Sequence, residues 1–395
     1  MIKKIIFYSY TKYIFIFFLI LLGIITSKYK GYGDDIDSHA LILSFINIIE
    51  NGIYSPSRYY GYPFAEIFYG FLGYFFGSFT SSLISYVLFL GSIFFISKTF
   101  IKKKLNEIDF LLIILICFSN PILYFDNTNP SDAPLALFLF SIGAYLFYKK
   151  YNLYSAIFFA LAIATRANYA LFVLFIIFYE LIKFKKINLE IFKILIYSSI
   201  ISLLFYLPIL IMYKFSFSFI TNPGGPDIDI TSLLPRFIFK TYLSYGIYSS
   251  IALFFLYVLN YKKVNGEIKK NKILTLIIVL NLLTFFFMPT KTSIISLSVI
   301  LSYIFILKIV KKKSILICLI LLNLFSYFVT YQIFEFKYKF QHKCDPIEAI
   351  DAKFNFKLKE GFYFSRTKKM KDQIYCSSIL FKKKSFKYLN GKKLK

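Results

Sequence analysis

Residues 13–39 read YIFIFFLILLGIITSKYKGYGDDIDSH, an unbroken apolar run that gives way within a few positions to three carboxylates. The apolar part, from about Ile5 to Thr26, is long enough for the ~20 residues a helix needs to cross a membrane. Lys3 and Lys4 precede it and hold the N-terminus on the cytoplasmic side. The following Gly33-Asp34-Asp35-Ile36-Asp37-Ser38-His39 then falls where the chain leaves the membrane on the far side. Carboxylates are costly at that depth and mark a functional site.

The rest of the chain repeats the apolar half of this pattern. Of its 395 residues 58% are hydrophobic, with 51 Phe, 34 Tyr and no Trp. Soluble domains seldom exceed about half apolar. The fold class expected is an all-α polytopic membrane protein with about eleven transmembrane helices. The formal charge of +27 suits nucleic acid in a soluble protein. Here most Lys stands in short clusters between apolar runs, so the charge is read as loops retained on the cytoplasmic side and nucleic acid is excluded as a partner. The first run lacks a small-residue cleavage site and more spans follow, so it is a retained helix.

The loop 27–63 is too long to be a mere connector. Within it Ser38 to Glu50 reads as a helix capped by Asp37 or Ser38. Its polar Ser44, Asn47 and Asn51 lie along one side, which suits a helix lying on the membrane, and Asn51-Gly52 ends it. Phe64 to Phe76, with Glu66, Gly70, Gly73 and Gly77 on one face, is short and reads as interfacial or re-entrant. Further spans are expected over about 79–100, 110–124, 133–147, 154–165, from 169 to the Lys183 cluster, 191–213, 237–259, a hairpin turning at Pro289-Thr290-Lys291-Thr292, and 314–334. Every Lys cluster between helices then falls inside and every short Asp-bearing loop outside.

This makes 1–333 the transmembrane domain and 334–395 a basic tail on the outer side, a small extramembrane cap. Phe354, Phe356 and Leu358 alternate with polar residues up to Glu360-Gly361, and Phe362 and Phe364 resume the alternation, which reads as a β-hairpin. Cys117 and Cys318 sit in apolar runs and read as buried fillers. Cys344 and Cys376 lie in the tail, where an oxidising compartment permits them to pair. No Cys or His spacing resembles a zinc site.

Four groups of residues can carry chemistry. In the first loop, Asp34, Asp35 or Asp37 can act as a general base, and Asp35 and Asp37 can hold a divalent cation through oxygen; the bland alternative is a solvated cap. Asp126, Asn127, Asn129 and Asp132 crowd the next outer loop, although Asn129-Pro130-Ser131-Asp132 is also a good helix start. Arg166 is the one Arg between Arg58 and Arg236. Lys supplies charge nearly everywhere else, so the guanidinium fork, which grips phosphate or carboxylate at two points, is what this position selects. Arg58, Arg236 and Lys291 are further outer-surface cations.

The order of these pieces resembles the GT-C superfamily of polytopic glycosyltransferases, the bacterial relatives of protein O-mannosyltransferases and aminoarabinose lipid A transferases. The resemblance lies in Gly33-Asp34-Asp35 after the first helix, Tyr60-Gly61-Tyr62-Pro63-Phe64, Ser131-Asp132-Ala133-Pro134-Leu135-Ala136-Leu137, and Thr165-Arg166-Ala167-Asn168, and covers about residues 1–185. It implies an inverting transfer of sugar from a polyprenyl-phosphate donor to a glycan, lipid or protein acceptor. The reaction takes place on the periplasmic face of a bacterial inner membrane, among membrane lipids. The base is then Asp34, or Asp35 if the motif is Asp-x-Asp with Asp37 second; the family's usual pair is Asp-Glu. Arg166, Lys291 and Arg58 would hold the donor phosphate. His39, Glu66, Tyr60, Asp126, Asp132 and Asn168 would contact substrate. No cofactor is certain; the candidate is a divalent cation, which Asp35 and Asp37 would hold if it is present. With no Trp there is no Trp-Trp-Asp motif, which removes oligosaccharyl transfer to Asn.

The rival readings are a transporter or flippase for a lipid-linked sugar, a polysaccharide polymerase or ligase, and a membrane scaffold. A transporter carries charges and Gly/Pro breaks at mid-helix, and these spans are nearly uncharged at their centres. A polymerase or ligase has a large Arg-rich outer loop late in the chain, whereas here the large loop comes first. A scaffold has no need of three Asp and an Arg at one surface.

Overall fold

The computed structural model describes residues 2–33, 35–58, 61–101, 107–184, 189–215, 230–287, 289, 291–310, 313–342 and 345–360. The elements are helices followed by one β-hairpin. Helix α1 is Ile2–Lys30, α2 Ile36–Asn51 and α3 Pro63–Phe100. Then come α4 Glu107–Ser119, α5 Pro121–Thr128, α6 Asp132–Tyr148, α7 Asn152–Thr165, α8 Tyr169–Phe184 and α9 Leu189–Met212. They are followed by α10 Ile230–Ser244, α11 Ile247–Leu259, α12 Tyr261–Lys270 and α13 Lys272–Phe287. A 3-10 turn, Thr292–Ile295, leads into α14 Ser296–Ile309 and α15 Lys313–Phe325. Strands β1 Val329–His342 and β2 Asp345–Glu360 close the described chain.

The chain is a helical membrane protein. Tyr13–Lys30, Pro63–Phe100, Leu189–Met212 and Thr292–Ile309 are each long and apolar enough to cross a bilayer. Up to seven spans result if three bent helix pairs each count as one. Among the described residues this stands in place of the eleven spans expected. The difference has local causes. The expected span 110–124 turns by 86° between α4 and α5, because Pro121 opens a new helix and Asn120 caps it by accepting from Leu123 N at 3.1 Å; a residue before proline is pushed out of the helical region. The expected span 237–259 breaks by 91° at Gly246, whose φ is 88°. The Lys-bearing loop after it is instead a helix, α12, set at 101° to α13. Helices α6, α7 and α15 are apolar but shorter than the ~20 residues that cover a full bilayer.

Three other expectations are corrected. The segments 64–76 and 79–100 form one long α3 broken at Gly77. Its φ of 79° and ψ of −174° lie in a region that essentially only glycine enters. The last helix ends at Phe325 rather than 334, and Val329 already begins β1. Among the described residues the hairpin pairs Tyr331 with Leu358 and Phe334 with Phe354; 362–364, expected to pair with 354–358, lie outside the described residues. Cys117 is buried, whereas Cys318 is exposed on α15. Cys344 and Cys376 lie outside the described residues.

The bundle is apolar both within and without. Tyr69, Phe89, Phe140, Phe159, Phe172 and Tyr303 are fully buried at its centre. Its outer surface carries Leu203, Leu204, Phe254 and Phe287 in the open, apolar area that a water-soluble surface does not tolerate. Buried asparagines stitch the helices together, as polar groups do where lipid gives helices no hydrophobic reason to associate. Asn281 donates to Ile294 O at 2.9 Å and accepts from Ser298 N at 3.1 Å. Asn120 donates to Ser244 O at 2.7 Å and to Tyr303 at 2.8 Å.

The two ends of the bundle differ in chemistry. At one end Lys308 donates to Phe100 O at 2.9 Å and to Asn271 at 2.8 Å, and Lys313 pairs with Asp109 at 3.6 Å. At the other end, sixteen positions back along α14 and its 3-10 turn, Thr292 donates to Asp126. At a rise of 1.5 Å per residue the ends are roughly 24 Å apart.

Candidate functional site

The acidic end is built from five segments far apart in sequence. Asp35 is the N-cap of α2, with extended backbone, and its side chain accepts from Asp37 N at 3.2 Å. The cap thus falls two residues before the earliest one expected. Lys291, from the turn before α14, donates to Asp35 Oδ2 at 2.6 Å and also pairs with Asp37. Arg58, from the loop before α3, pairs with Asp37, donates to the Tyr62 hydroxyl at 3.1 Å and lies over the Tyr62 ring at 5.1 Å. These four side chains are 16–30% exposed, so they are partly open to the surface of the bundle. Asp34 and Tyr60 lie outside the described residues.

A second pair lies deeper. Asp132, in the first turn of α6, meets Arg166 Nε at 3.2 Å, and both are buried. Arg166 stands at the break between α7 and α8 in extended conformation. Tyr62 and Tyr169 act on it electrostatically, and Arg58 is near enough to repel it. The two pairs therefore belong to one electrostatic cluster. Asn168 follows in the turn that starts α8.

Further polar contacts close the rim. Asp126 accepts from Thr292. Lys30, at the end of α1, donates to Thr128 and sits 4.5 Å from the ring centres of Tyr124 and Phe125. Gly33, with φ of 89°, lets Asn129 lie directly on the chain; a Cβ there would come within 2.6 Å of its side-chain carbon. Sequence reasoning missed Thr292, Lys30 and the Tyr62 phenol. A signal existed for Lys30: with Lys28 it places positive charge in the last turn of the first helix, beside the acidic stretch.

His39 and Glu66 are placed differently from the open pairs. His39 is 3% exposed, edge-on to Tyr32 at 5.6 Å between ring centres, and neither ring nitrogen has a hydrogen-bond partner among the described residues. Burial pushes its pKa down to about 4, against the pull of Asp35. Glu66 is fully buried and its carboxylate is taken up by the preceding loop. It accepts from Tyr54 at 2.5 Å, Ser57 N at 2.7 Å, Ser57 Oγ at 2.5 Å and Tyr62 N at 3.0 Å. It thereby fixes the loop that presents Arg58 and Tyr62.

Helix α2 packs its Ile42 and Phe45 onto the glycine face of α3. Ser44, expected on a water-facing side, is buried and donates to Ser55 O at 2.6 Å, while Ile49 is exposed.

The cluster sets four carboxylates (Asp35, Asp37, Asp126, Asp132) against four cations (Lys30, Arg58, Arg166, Lys291) among the described residues. Nothing there fits a divalent cation. The described oxygens of Asp35 and Asp37 face an ammonium and a guanidinium, and no three His, Cys, Asp or Glu side chains converge among the described residues. Buried polar atoms lacking hydrogen bonds gather at this end: Ser38 Oγ, both His39 nitrogens, Asn127 Oδ1 and Asn168 Oδ1. Such atoms are rare in folded chains and point to a polar site. Compared with known proteins, the chain matches no family model, no curated protein and no solved structure.

Proposed function

We propose that the chain transfers a sugar from a polyprenyl-phosphate donor to a glycan, lipid or protein acceptor, with inversion. On this reading it works on the periplasmic face of a bacterial inner membrane, and its resemblance is to the GT-C glycosyltransferases. The observation that carries it is the quartet of Asp35, Asp37, Arg58 and Lys291, half-open at one end of an apolar bundle. A carboxylate pair supplies a base, the paired cations supply a phosphate site, and the apolar bundle supplies contact for a prenyl chain.

The chemistry follows from the pairing. In the ligand-free cluster Asp35, Asp37 and Asp132 each face a cation. A donor phosphate competes for Lys291 and Arg58; its arrival frees Asp35 to take a proton, and Asp34 is the alternative base. The acceptor hydroxyl loses that proton to the carboxylate and attacks the anomeric carbon from the face opposite the phosphate. The bond from anomeric carbon to phosphate oxygen breaks, and the electron pair leaves on the phosphate. Lys291, Arg58 and Arg166 stabilise the developing charge. His39, Asp126, Asp132 and Asn168 line the sugar and acceptor side.

The test is sugar transfer from polyprenyl phosphate by purified, folded variants. Asp34→Asn, Asp35→Asn and the double change remove basicity at constant size, and loss of a general base costs about a hundred- to ten-thousand-fold in rate. Wild-type turnover in all three sinks the reading.

A further inference from the structure

A cavity of about 570 Å³ lies in the elbow between α10 and α11. The elbow is set by Gly246, whose φ of 88° suits glycine and where a side chain would run into Asn323; there the two helices turn through 91°. Phe237 of α10, Leu253 and Leu256 of α11, Val264 of α12, and Phe305 and Ile306 of α14 form its walls. Its size is that of a ligand pocket, about 300–1,000 Å³.

The lining decides what fits. Among the described residues no charged side chain lines the cavity. Its polar groups are largely turned to the protein. The Tyr245 and Ser302 hydroxyls bond to one another at 3.0 Å. Ser250 donates to Tyr242 O at 3.0 Å and Gly246 O at 2.8 Å, and Asn260 to Leu256 O at 3.1 Å. Thr241 Oγ1 is buried with no hydrogen-bond partner among the described residues, and one hydroxyl does not hold a charge. A charged ligand inside would lose its hydration without compensation, so the walls accept hydrocarbon. On the α14 side they run from Ser302 to Val310, eight positions or roughly 12 Å. Half the hydrocarbon core of a bilayer is about 15 Å. The cavity thus has the depth of one leaflet, along the half of α14 that ends at Lys308.

That end carries the charge the cavity lacks. Helix α12, YKKVNGEIKK, is set at 101° to α13 and packs against α14. Val264 is buried and Ile268, one turn on, is half-buried, while Lys262, Lys263, Lys269 and Lys270 are exposed. Helical spacing puts these four lysines on the side away from Val264. Glu267 is the single acid on the helix and pairs with Lys270 at 3.2 Å; Lys272 follows, also exposed. An amphipathic helix with this cationic face lies among headgroups, and lysine clusters at a membrane surface select anionic lipids.

We infer that the elbow is a binding site for one anionic phospholipid from the leaflet at the Lys-rich end, with an acyl chain in the cavity and the phosphate among the lysines of α12. The site stands apart from the sugar-transfer chemistry, whose charged groups gather at the other end of the bundle.

The full chain is purified in detergent and titrated with phosphatidylglycerol, with phosphatidylcholine of the same acyl chains, and with a polyprenyl phosphate. Native mass spectrometry counts the bound lipid, and the unfolding midpoint reports the stabilisation that binding brings. The wild type binds one phosphatidylglycerol, about tenfold or more tighter than phosphatidylcholine, as several surface lysines provide. Changing Lys262, Lys263, Lys269 and Lys270 together to Gln removes that preference and leaves phosphatidylcholine binding as it was. Leu253→Trp fills the cavity from α11, and Val310→Phe from the α14 wall. Each loses both phospholipids while keeping its lipid-free midpoint, and two fillings are made so that loss of the fold in one leaves the other decisive. Four results overturn the inference: equal affinity of the wild type for the two phospholipids; a preference that survives the four Gln changes; phosphatidylglycerol binding unchanged in a folded filling variant, which means surface attraction alone; and displacement of phosphatidylglycerol by an equal concentration of polyprenyl phosphate, which makes the cavity a prenyl site.

Discussion

Lys291 reaches Asp35 across 256 positions of sequence, Nζ to Oδ2 at 2.6 Å, and the same ammonium pairs with Asp37. One side chain from the turn before α14 therefore bridges the cap and the first turn of α2. Asp35 consequently has two separable jobs, and substitution can divide them. Asn is as good a cap as Asp, whereas Ala in a cap position costs about 0.5–2 kcal/mol. Asp35→Asn is expected to keep the wild-type unfolding midpoint in detergent, and to lose sugar transfer if Asp35 rather than Asp34 is the base. Asp35→Ala loses both. Equal destabilisation by Asn and Ala means that the Lys291 pair, not the cap, is what holds this turn.

The deeper pair, Asp132 and Arg166, is buried, so removing either partner strands a charge. Breaking a buried pair costs about 3–5 kcal/mol, while replacing both partners by apolar groups is often neutral. Asp132→Leu and Arg166→Met are each expected to lower the stability of the purified protein strongly, and the double change to recover most of the loss. Denaturant unfolding of all four proteins measures the coupling. Simple addition of the two losses shows that the pair contributes nothing of its own.

Glu66 accepts four hydrogen bonds, two of them from backbone N–H groups. In Glu66→Ala those donors are orphaned at about 1–3 kcal/mol each, and the loop before α3 comes away from the bundle. Limited proteolysis should cut between residues 53 and 62 far faster in this variant than in the wild type, with the rest of the chain resistant. Unchanged cleavage would show that the loop is held by other contacts.

His39 gives the fold a pH dependence of known sign. Burial lowers its pKa from 6.5 to about 4, so below pH 6.5 the unfolded chain binds a proton that the folded chain refuses. Its contribution to stability is complete above pH 6.5 and is lost as pH falls towards 4, at about 1.4 kcal/mol per pH unit for one proton. The groups facing the ring, Tyr32 and Asp35, leave this direction intact. Replacing the ring by Phe abolishes the slope. Unfolding midpoints at a series of pH values for the wild type and His39→Phe decide it, and parallel curves exclude His39 as the source.

Much of this was legible in sequence because apolar runs and Lys clusters report on the bilayer directly. The membrane class and the helix after the acidic stretch with Gly52 as its stop follow from composition and glycine placement alone. The bends did not follow. Asn120-Pro121, Gly246 and Asn271 look like small perturbations in apolar runs, and for the two asparagines only the groups they meet, the Ser244 carbonyl, the Tyr303 hydroxyl and Lys308, show that the helices turn there. The end of α15 was misread for a related reason: Val329 to Phe334 is as apolar as a span, and only its pairing with β2 makes it a strand. Within the site, Asp35, Asp37, Arg58 and Lys291 were each visible as outer-surface charges, but which cation meets which carboxylate is a matter of tertiary register that no spacing records.

The distance between Asp35 and Lys291 along the chain also sets an order of events on the ribosome. At about 5–20 residues per second, the 256 positions that separate them take roughly 13–50 s to translate. Arg58 emerges almost at once after Asp37, so the acidic stretch is inserted with that guanidinium as its early counter-ion. The bridging ammonium arrives only when the hairpin of α13 and α14 enters the bilayer. A nascent chain released before that hairpin therefore has its first loop in place but no closed quartet, which is completed only in the last third of synthesis.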